Sequence, residues 1–155
     1  MSISALPERP NPLHWPETWG RTPVHERTSP PYRAPLADTR HLIIDELRLL
    51  VSGRANGHVR CVLSSDLPTR RDGTFYENPD EPKDPGAAVW WLDSSGDVCA
   101  IACDAWNTVQ GNFRAIALNI HHMRAVQRTK ATQIFARMTQ SFKVHALASM
   151  NPIPT

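Results

Sequence analysis

The fold is decided by residues 87–103, which have the sequence AAVWWLDSSGDVCAIAC. Two runs of small, β-branched and aromatic residues, Ala87–Asp93 and Val98–Cys103, flank the polar turn SSGD. Residues of this kind favour strands, and a short turn that contains glycine joins antiparallel strands. The stretch therefore predicts a β-hairpin. Because neighbouring side chains of a strand point to opposite faces, we expect one of Trp90 and Trp91 in the core and the other packed under the N-terminal segment.

Two helices are predicted after the hairpin. Asp104 is a suitable N-cap for the first, because a carboxylate can accept a hydrogen bond from a free backbone N–H. A second, weaker amphipathic pattern predicts a helix from about Lys130 to Val144, and the tail at 149–155 is expected to fray. The first helix rests on apolar residues that recur at intervals of three and four, namely Trp106, Val109, Phe113, Ile116, Ile120 and Met123.

Three segments precede the hairpin. Asp38 is a plausible N-cap for a helix from Thr39 to about Ser52, which Gly53 would end. Alternating apolar and polar residues predict a strand over His58–Ser64. Residues 65–86 are rich in Asp, Pro and Gly and predict a long connection, and loops of this length are usually functional or disordered.

The first 37 residues form a proline-rich arm. Eight of the 14 prolines lie before position 36, and proline fixes φ and lacks an N–H donor, so the arm cannot form a helix or a strand ladder. It nevertheless contains Trp15, Trp19 and Tyr32, which solvated linkers usually lack. We therefore expect the arm to lie extended and to place these aromatics on the domain or on a partner.

The order of the predicted elements indicates an α+β fold. We expect a small antiparallel three-stranded sheet packed against two or three helices. A chain of 155 residues is long enough for one domain with a real core and too short for two. The predicted organisation is an arm at 1–37, a single α+β domain at 38–148 and a tail at 149–155.

Composition favours a cytoplasmic protein. No stretch approaches the ~20 apolar residues that cross a bilayer, and the N-terminus lacks the pattern of a signal peptide. The three cysteines, Cys61, Cys99 and Cys103, include no C-x-x-C pair, and an odd number is not a disulfide framework. We expect buried free thiols and no membrane contact.

Charge is distributed unevenly along the chain. Residues 1–104 carry all 15 acidic side chains and 11 Lys or Arg, whereas residues 105–155 carry six Lys or Arg and no acid. Such asymmetry indicates a polyanionic partner, either nucleic acid or an acidic protein surface, although cations on a helix also form ordinary solvated faces. On the long helix they share one flanking stripe, because each residue turns the helix by about 100°. The expected contacts are Arg114, His121, Arg124, Arg128, Lys130, Arg137 and Lys143.

Carboxylates at strand ends and in the long loop allow a second hypothesis. Carboxylates that converge at a sheet edge can bind Mg²⁺, so a metal-dependent, nuclease-like phosphoryl-transfer enzyme would need at least two of them within about 4–6 Å. The same residues are ordinary turn and cap residues, and no signature spacing selects them. The weak catalytic candidates are Asp66, Asp72, Asp84 and Asp104.

The motifs of common cofactor-dependent enzymes are absent from the sequence. It contains no Walker motif and no G-x-G-x-x-G. The adjacent His121 and His122 point about 100° apart on a helix and cannot jointly bind an ion. We expect no cofactor and no resident metal, and a non-catalytic protein is favoured.

A third hypothesis is a pure protein-interaction adaptor. Its arm would hold a larger complex, because exposed aromatic residues and arginines are typical of interfaces. The candidate partner-binding residues are Trp15, Trp19 and Tyr32 in the arm and Arg70 and Arg71 in the long loop.

Several motifs occur in a fixed order: PLHWP at 12–16 with Trp19 and RTP at 21–23, RRDG at 70–73 with Tyr76, DPGAAVWW at 84–91, ACDAW at 102–106, Asn112 and RAIA at 114–117. Over roughly residues 11–128 the chain thus resembles a family of small phage, prophage, plasmid and proteobacterial proteins often labelled J-domain-containing or DnaJ-like. The sequence has no His-Pro-Asp tripeptide, so Hsp70 co-chaperone activity is not carried over. The resemblance implies a bacterial or mobile-element setting and names no reaction.

The leading hypothesis from the sequence is a non-catalytic accessory protein of such a system. Its basic C-terminal helical face would bind nucleic acid or a larger nucleoprotein complex. Affinity that depends on phosphate contacts would fall steeply with salt.

Overall fold

A computed structural model describes residues 5–144 and shows the expected α+β fold. Its helices are α1 (Leu36–Ser52), α2 (Val109–Arg128) and α3 (Thr132–Gln140), and a 3-10 turn, Val24–Glu26, precedes α1. Its strands are β1 (Cys61–Ser65), β2 (Ala87–Leu92) and β3 (Val98–Cys103), all antiparallel and ordered β1-β2-β3. In this part of the chain, every helix is too short or too polar to cross a bilayer. The tail predicted at 149–155 lies outside the described residues.

The hairpin predicted from residues 87–103 is confirmed. β2 and β3 pair from Ala87 opposite Cys103 to Leu92 opposite Val98. β1 pairs with the other side of β2 and begins at Cys61, later than the predicted His58. The reason is the register, which would place residue 58 opposite the β2–β3 turn, where β2 has already ended.

The two faces of the sheet bury different side chains. Trp91 is 3% exposed and belongs to the core between the sheet and the helices, together with Phe113. Trp90 lies on the opposite face, where Leu13 of the arm packs beside it. Trp90 Nε1 donates a hydrogen bond to the carbonyl oxygen of His14 at 2.9 Å. The expectation of one core tryptophan and one tryptophan under the arm is confirmed.

Residues 5–35 run along the sheet and are attached through polar groups. Ser65 N donates to the carbonyl of Pro10 at 2.9 Å, and His14 N donates to Ser64 Oγ at 2.7 Å. Proline carbonyls can accept hydrogen bonds although proline nitrogens cannot donate them. The arm therefore attaches to the sheet without extending it as a strand.

Helix α2 begins at Val109, later than the predicted cap at Asp104. Thr108 is the N-cap, and its Oγ1 accepts a hydrogen bond from Gly111 N at 3.0 Å. Before the helix starts, Asn107 N donates to the carbonyl of Thr28 at 2.9 Å, so this stretch bonds to the arm. The prediction that Asp104 caps α2 is wrong.

Helix α1 begins at Leu36, directly after Pro35, and not at Thr39. Asp38 lies inside the first turn, and no side chain caps the helix, so the predicted Asp38 cap is also wrong. Proline before a helix presets a φ near −60°, and Pro35 has φ −60°. Gly53 ends the helix as predicted, with a left-handed φ of 74° that glycine adopts without strain.

Helices α1 and α2 pack in parallel. Near their N-termini, Gln110 Nε2 donates to the carbonyl of Ala34 at 2.6 Å. Near their C-termini, Gln127 Nε2 donates to the carbonyl of Leu50 at 3.2 Å. Both C-termini therefore lie at one end of the molecule, where unpaired helix carbonyls carry partial negative charge.

Helix α3 is shorter than the predicted span from Lys130 to Val144. Lys130 has φ 63°, a left-handed conformation that interrupts the helical path. Beyond α3, Ala100 N donates to the carbonyl of Phe142 at 2.9 Å, and Val144 N donates to the carbonyl of Val98 at 2.7 Å. Residues 142–144 therefore cover the outer edge of β3.

We predict that Gly111→Ala destabilises the protein although alanine is the better helix former. A Cβ at position 111 would lie 2.5 Å from Pro30 Cβ. Alanine gains about 1 kcal/mol of helix propensity, but overpacking costs roughly 1–3 kcal/mol and would push the arm off α2. Thermal unfolding should show a lower Tm. Gly20→Ala is the matched control, because nothing lies within 4 Å of a Cβ there. An unchanged Tm for Gly111→Ala would contradict the close approach of Pro30.

Candidate functional site

The middle of the predicted basic stripe is neutralised by a carboxylate of α1. Glu46 Oε1 lies 3.1 Å from His121 Nδ1, and Glu46 Oε2 accepts a hydrogen bond from Arg124 Nη1 at 3.1 Å. The side chains of Glu46 and Arg124 are only 9% and 17% exposed. The expected stripe without a neighbouring acid is therefore interrupted at Arg124, which is largely buried, whereas His121 contacts Glu46 but stays exposed; as phosphate contacts both stay predictions.

The electrostatics of this pair keep Glu46 ionised. Burial by itself would raise the pKa of Glu46. The hydrogen bonds from His121 and Arg124, together with their charges, outweigh burial and lower that pKa below its ordinary value. The carboxylate therefore holds α1 and α2 together and neutralises positive charge in the middle of the stripe.

Lys143 is also paired with carboxylates from the first part of the chain. Its Nζ lies 3.1 Å from Asp97 Oδ2 and 3.9 Å from Asp93 Oδ2, both at the turn between β2 and β3. The hydrogen bond to Asp97 raises the pKa of Lys143. Lys143 therefore has carboxylate partners within the protein, and as a nucleic-acid contact it stays a prediction.

The other four predicted contacts have no carboxylate partner among residues 5–144. Arg114 is half-buried in the first half of α2, away from the helix ends. Arg128 ends α2, Lys130 follows in the turn, and Arg137 lies on α3, and all three are exposed. In the described part of the chain, the exposed and unpaired cations of the predicted stripe therefore lie at its C-terminal end.

An exposed arginine of the first part of the chain joins this end. Arg54 follows Gly53, which caps the C-terminus of α1. Because α1 and α2 run in parallel, Arg54 lies at the same end of the molecule as Arg128. Sequence reasoning missed Arg54 because the acid-rich part of the chain gave no sign of which helix end it would adjoin. We call Arg54, Arg128, Lys130 and Arg137 the basic pole.

Two of the four carboxylates considered for a metal site come together, and both bind arginine. Arg21 Nη2 lies 2.6 Å from Asp84 Oδ1, and Arg21 Nε lies 2.7 Å from Asp104 Oδ2. Arg27 Nη2 lies 3.2 Å from the same oxygen of Asp104, and Thr22 N donates to the Asp104 carboxylate at 3.1 Å. We call Asp84, Asp104, Arg21 and Arg27 the arm clamp, because they attach the arm to the end of β3.

The other two carboxylates make separate contacts. Asp66 Oδ1 accepts a hydrogen bond from Leu13 N at 2.8 Å. Asp72 Oδ1 accepts from Thr74 N at 3.0 Å within the long loop. Within the described part of the chain, no three His, Cys, Asp or Glu side chains are arranged to hold a metal ion. Asp66 thus helps to attach the arm, and Asp72 helps to order the long loop.

The arm clamp keeps its carboxylates ionised. Burial would raise the pKa of Asp104, but hydrogen bonds from Arg21 and Thr22 outweigh burial and lower it. Burial likewise acts to raise the pKa of Asp84, and hydrogen bonds from Arg21 and Gly86 N lower it. Charged at neutral pH and matched by guanidinium groups, the two carboxylates stabilise the attached arm.

The arm aromatics predicted to bind a partner bind the protein itself. Trp19 stacks on Phe142, with ring centroids 6.2 Å apart. Tyr32 meets Trp106 edge to face at 5.8 Å. Trp15 donates through Nε1 to the Trp19 carbonyl at 2.9 Å. The arm is therefore held by the domain, which is one of the two alternatives expected from the sequence.

The two loop arginines differ. Arg70 donates through Nη1 to the carbonyl of Phe75, and its guanidinium lies 4.9 Å from the ring centroid of Tyr76. Arg71 is exposed and forms no ion pair in residues 5–144. Arg70 therefore orders its own loop, whereas Arg71 is open to solvent.

In comparisons with known proteins, no family model, no curated protein and no solved structure matches this chain.

We predict that Glu46→Gln lowers stability in a pH-dependent way. A folded-state pKa below the unfolded value of about 4.3 stabilises the fold above that pH, and the gain is lost as pH falls through the folded pKa. Loss of charge-assisted hydrogen bonds should cost about 2 kcal/mol at pH 7. Urea unfolding at neutral and acid pH measures the difference from wild type, which should shrink in acid. Asp38→Asn, an exposed acid on the same helix, is the control. A pH-independent difference would contradict the ionised pair.

We predict that Asp104→Asn loosens the arm. Asp104 is 4% exposed and serves two arginines, so its replacement leaves buried guanidinium charge without a partner, at a cost of roughly 3 kcal/mol. Trypsin should then cleave faster after Arg21 and Arg27, and the Tm should fall. Asp80→Asn removes an exposed carboxylate and serves as the control. If Asp104→Asn were cleaved as slowly as the control, the arm clamp would not hold the arm.

Proposed function

We propose that this protein is a non-catalytic accessory factor that binds nucleic acid through the basic pole. One observation carries the proposal: four exposed cations stand just after α1, at and just after the end of α2, and on α3, and they have no carboxylate partner among residues 5–144. Lys and Arg contacts to phosphates supply most of the sequence-independent affinity of proteins for nucleic acid. The same cations would also suit an acidic protein surface, and the experiment below separates the two partners.

The helix dipoles do not account for this charge. A helix C-terminus carries about −0.5 charge, so α1 and α2 together supply about −1 against four cations. The carboxylates nearby are only partly matched: Asp93 and Asp97 share Lys143 and keep about one negative charge, and Asp45 lies 3.4 Å from Arg48 in an exposed pair. A surplus of about +2 is therefore left for an anion outside the molecule.

The setting that we propose is the cytoplasm of a bacterium or a mobile-element system. The motifs at 12–16, 84–91 and 102–106 support it through their resemblance to phage, plasmid and proteobacterial proteins. In this proposal the arm is a structural part of the domain, because its aromatics are engaged internally. A larger nucleoprotein complex would then be reached through the nucleic acid and not through the arm.

A quadruple variant with a matched control tests the proposal. Arg54→Ala, Arg128→Ala, Lys130→Ala and Arg137→Ala are combined in one chain. The control combines Arg9→Ala, Arg33→Ala, Arg60→Ala and Arg71→Ala, which removes the same charge from exposed positions elsewhere. Fluorescence anisotropy with a labelled DNA duplex measures binding. Four phosphate contacts predict roughly a 100-fold loss of wild-type affinity between about 50 and about 200 mM salt.

The expected result is that the basic-pole variant binds the duplex at least about tenfold more weakly at low salt, with a shallower salt dependence, while the control changes little. Equal weakening of both variants would show that only net charge matters, and the basic pole would not be the interface. Absence of wild-type binding at low salt would remove nucleic acid and leave an acidic protein as the partner.

A further inference from the structure

The sheet has one edge that is covered and one edge that residues 5–144 leave largely open. Residues 142–144 pair with the outer edge of β3. At the other edge, Arg60 pairs inward, since its carbonyl accepts a hydrogen bond from Leu92 N at 3.1 Å. Antiparallel pairing alternates inward and outward residues, so the N–H and C=O groups of Cys61 and Leu63 point away from β2. In residues 5–144 these outward groups have no hydrogen-bond partner.

The arm passes this edge without pairing along it. Ser65 N donates to the carbonyl of Pro10, and this is the single backbone bond between the arm and β1 in the described part of the chain. Pro7 and Pro10 lack N–H groups, so they cannot donate to the outward carbonyls of Cys61 and Leu63. The backbone of β1 is therefore available to a strand that carries its own donors.

A groove of about 710 Å³ follows this edge. Its floor is the β1 edge, one wall is formed by Ile44 and Arg48 of α1, and the opposite wall is formed by arm residues 5–8. Val62 and Leu92 add apolar surface. The open stretch runs from Val59 to Leu63 and stops before Ser65, which is bonded to Pro10. At about 3.3 Å per residue it spans roughly 17 Å and accommodates an extended segment of about five residues.

The groove is positively charged. Arg60 is exposed and has no carboxylate partner among residues 5–144. Arg48 lies 3.4 Å from Asp45, but both side chains are well exposed, and such surface pairs contribute little. Burial raises the pKa of the Cys61 thiol. The positive charges of Arg40 and Arg48 act in the opposite direction, which indicates that both lie close enough to Cys61 to favour negative charge there. Glu8 in the arm wall is the one carboxylate that lines the groove.

We propose that β1 binds an extended, acidic segment of a partner protein, which adds as a strand to the open edge while its carboxylates meet Arg48 and Arg60. Backbone hydrogen bonds would supply affinity, and alternate side chains would enter the groove, as in other cases of strand addition. A second copy of this chain is a poorer occupant, because it would bring the same arginines to the same edge. The site begins at Val59, five residues after Arg54 of the basic pole, but it uses Arg48 and Arg60 and does not depend on nucleic-acid binding.

Three blocked, fluorescent peptides of about eight residues test the proposal. The first alternates Val and Glu, the second alternates Val and Lys, and the third is the acidic peptide with N-methyl groups on one edge. The acidic peptide should bind the full chain, and the lysine and N-methylated peptides should bind at least about tenfold more weakly, because they lack the charge or the donors. Arg48→Glu with Arg60→Glu should reverse the charge preference, whereas the control Arg33→Glu with Arg71→Glu should not.

Several results would overturn the proposal. These are no saturable binding of the acidic peptide, equal binding of the N-methylated peptide, or unchanged preference in Arg48→Glu with Arg60→Glu. A dimer in sedimentation that the same double variant dissociates would identify a second copy as the occupant. Tighter peptide binding after removal of residues 1–4 would show that the chain's own N-terminus is the occupant of this edge. The basic-pole quadruple variant should bind the acidic peptide as wild type does, so the two proposals fail separately.

Discussion

The parallel packing of α1 on α2, with the Glu46 carboxylate between His121 and Arg124, is the constraint that shapes the surface of this molecule. This ion pair neutralises positive charge in the middle of the part of the chain that contains no acidic residue. The parallel packing also places both helix C-termini at one end, where Arg54 and Arg128 lie together. The Glu46 ion pair therefore engages Arg124 and His121, and the parallel packing places the C-terminal ends of both helices together, while Lys143 is engaged separately by Asp97.

A second constraint is the need to cover the outer face of a three-stranded sheet. Helices protect one face, and the arm protects the other, with Leu13 packed near Trp90. The arm clamp holds this cover in place through Asp104, whose carboxylate binds two arginines of the arm. Because the arm's aromatics are used in this way, the surfaces that we propose for partner contacts are the basic pole and the open edge of β1.

Sequence patterns were sufficient for the elements whose signals are local. The strand-forming residues and the turn in 87–103 predicted β2 and β3, the helical spacing around Phe113 predicted α2, and Gly53 predicted the end of α1. The two predicted N-caps were wrong, although aspartate is a favourable N-cap residue. Backbone geometry selected Pro35 instead of Asp38, and ion pairs with the arm engaged Asp104.

The candidate binding surface could be predicted only in part from the sequence, for a related reason. The excess of cations after residue 104 is visible in the sequence, but their partners are distant along the chain. Glu46 and Arg124 are separated by 78 positions, and Lys143 and Asp97 by 46. No local pattern shows which carboxylates will reach them, so the stripe was predicted too long and Arg54 was missed.

The most direct test of the basic pole is an amide chemical-shift titration of the ¹⁵N-labelled chain with a short DNA duplex at low salt. Shifts should concentrate at Arg54, at Arg128 and Lys130, and around Arg137, and they should remain small near Glu46 and along β1. Shifts centred on His121 and Arg124, or on the arm, would contradict the central claim that an internal ion pair confines nucleic-acid binding to one end of the molecule.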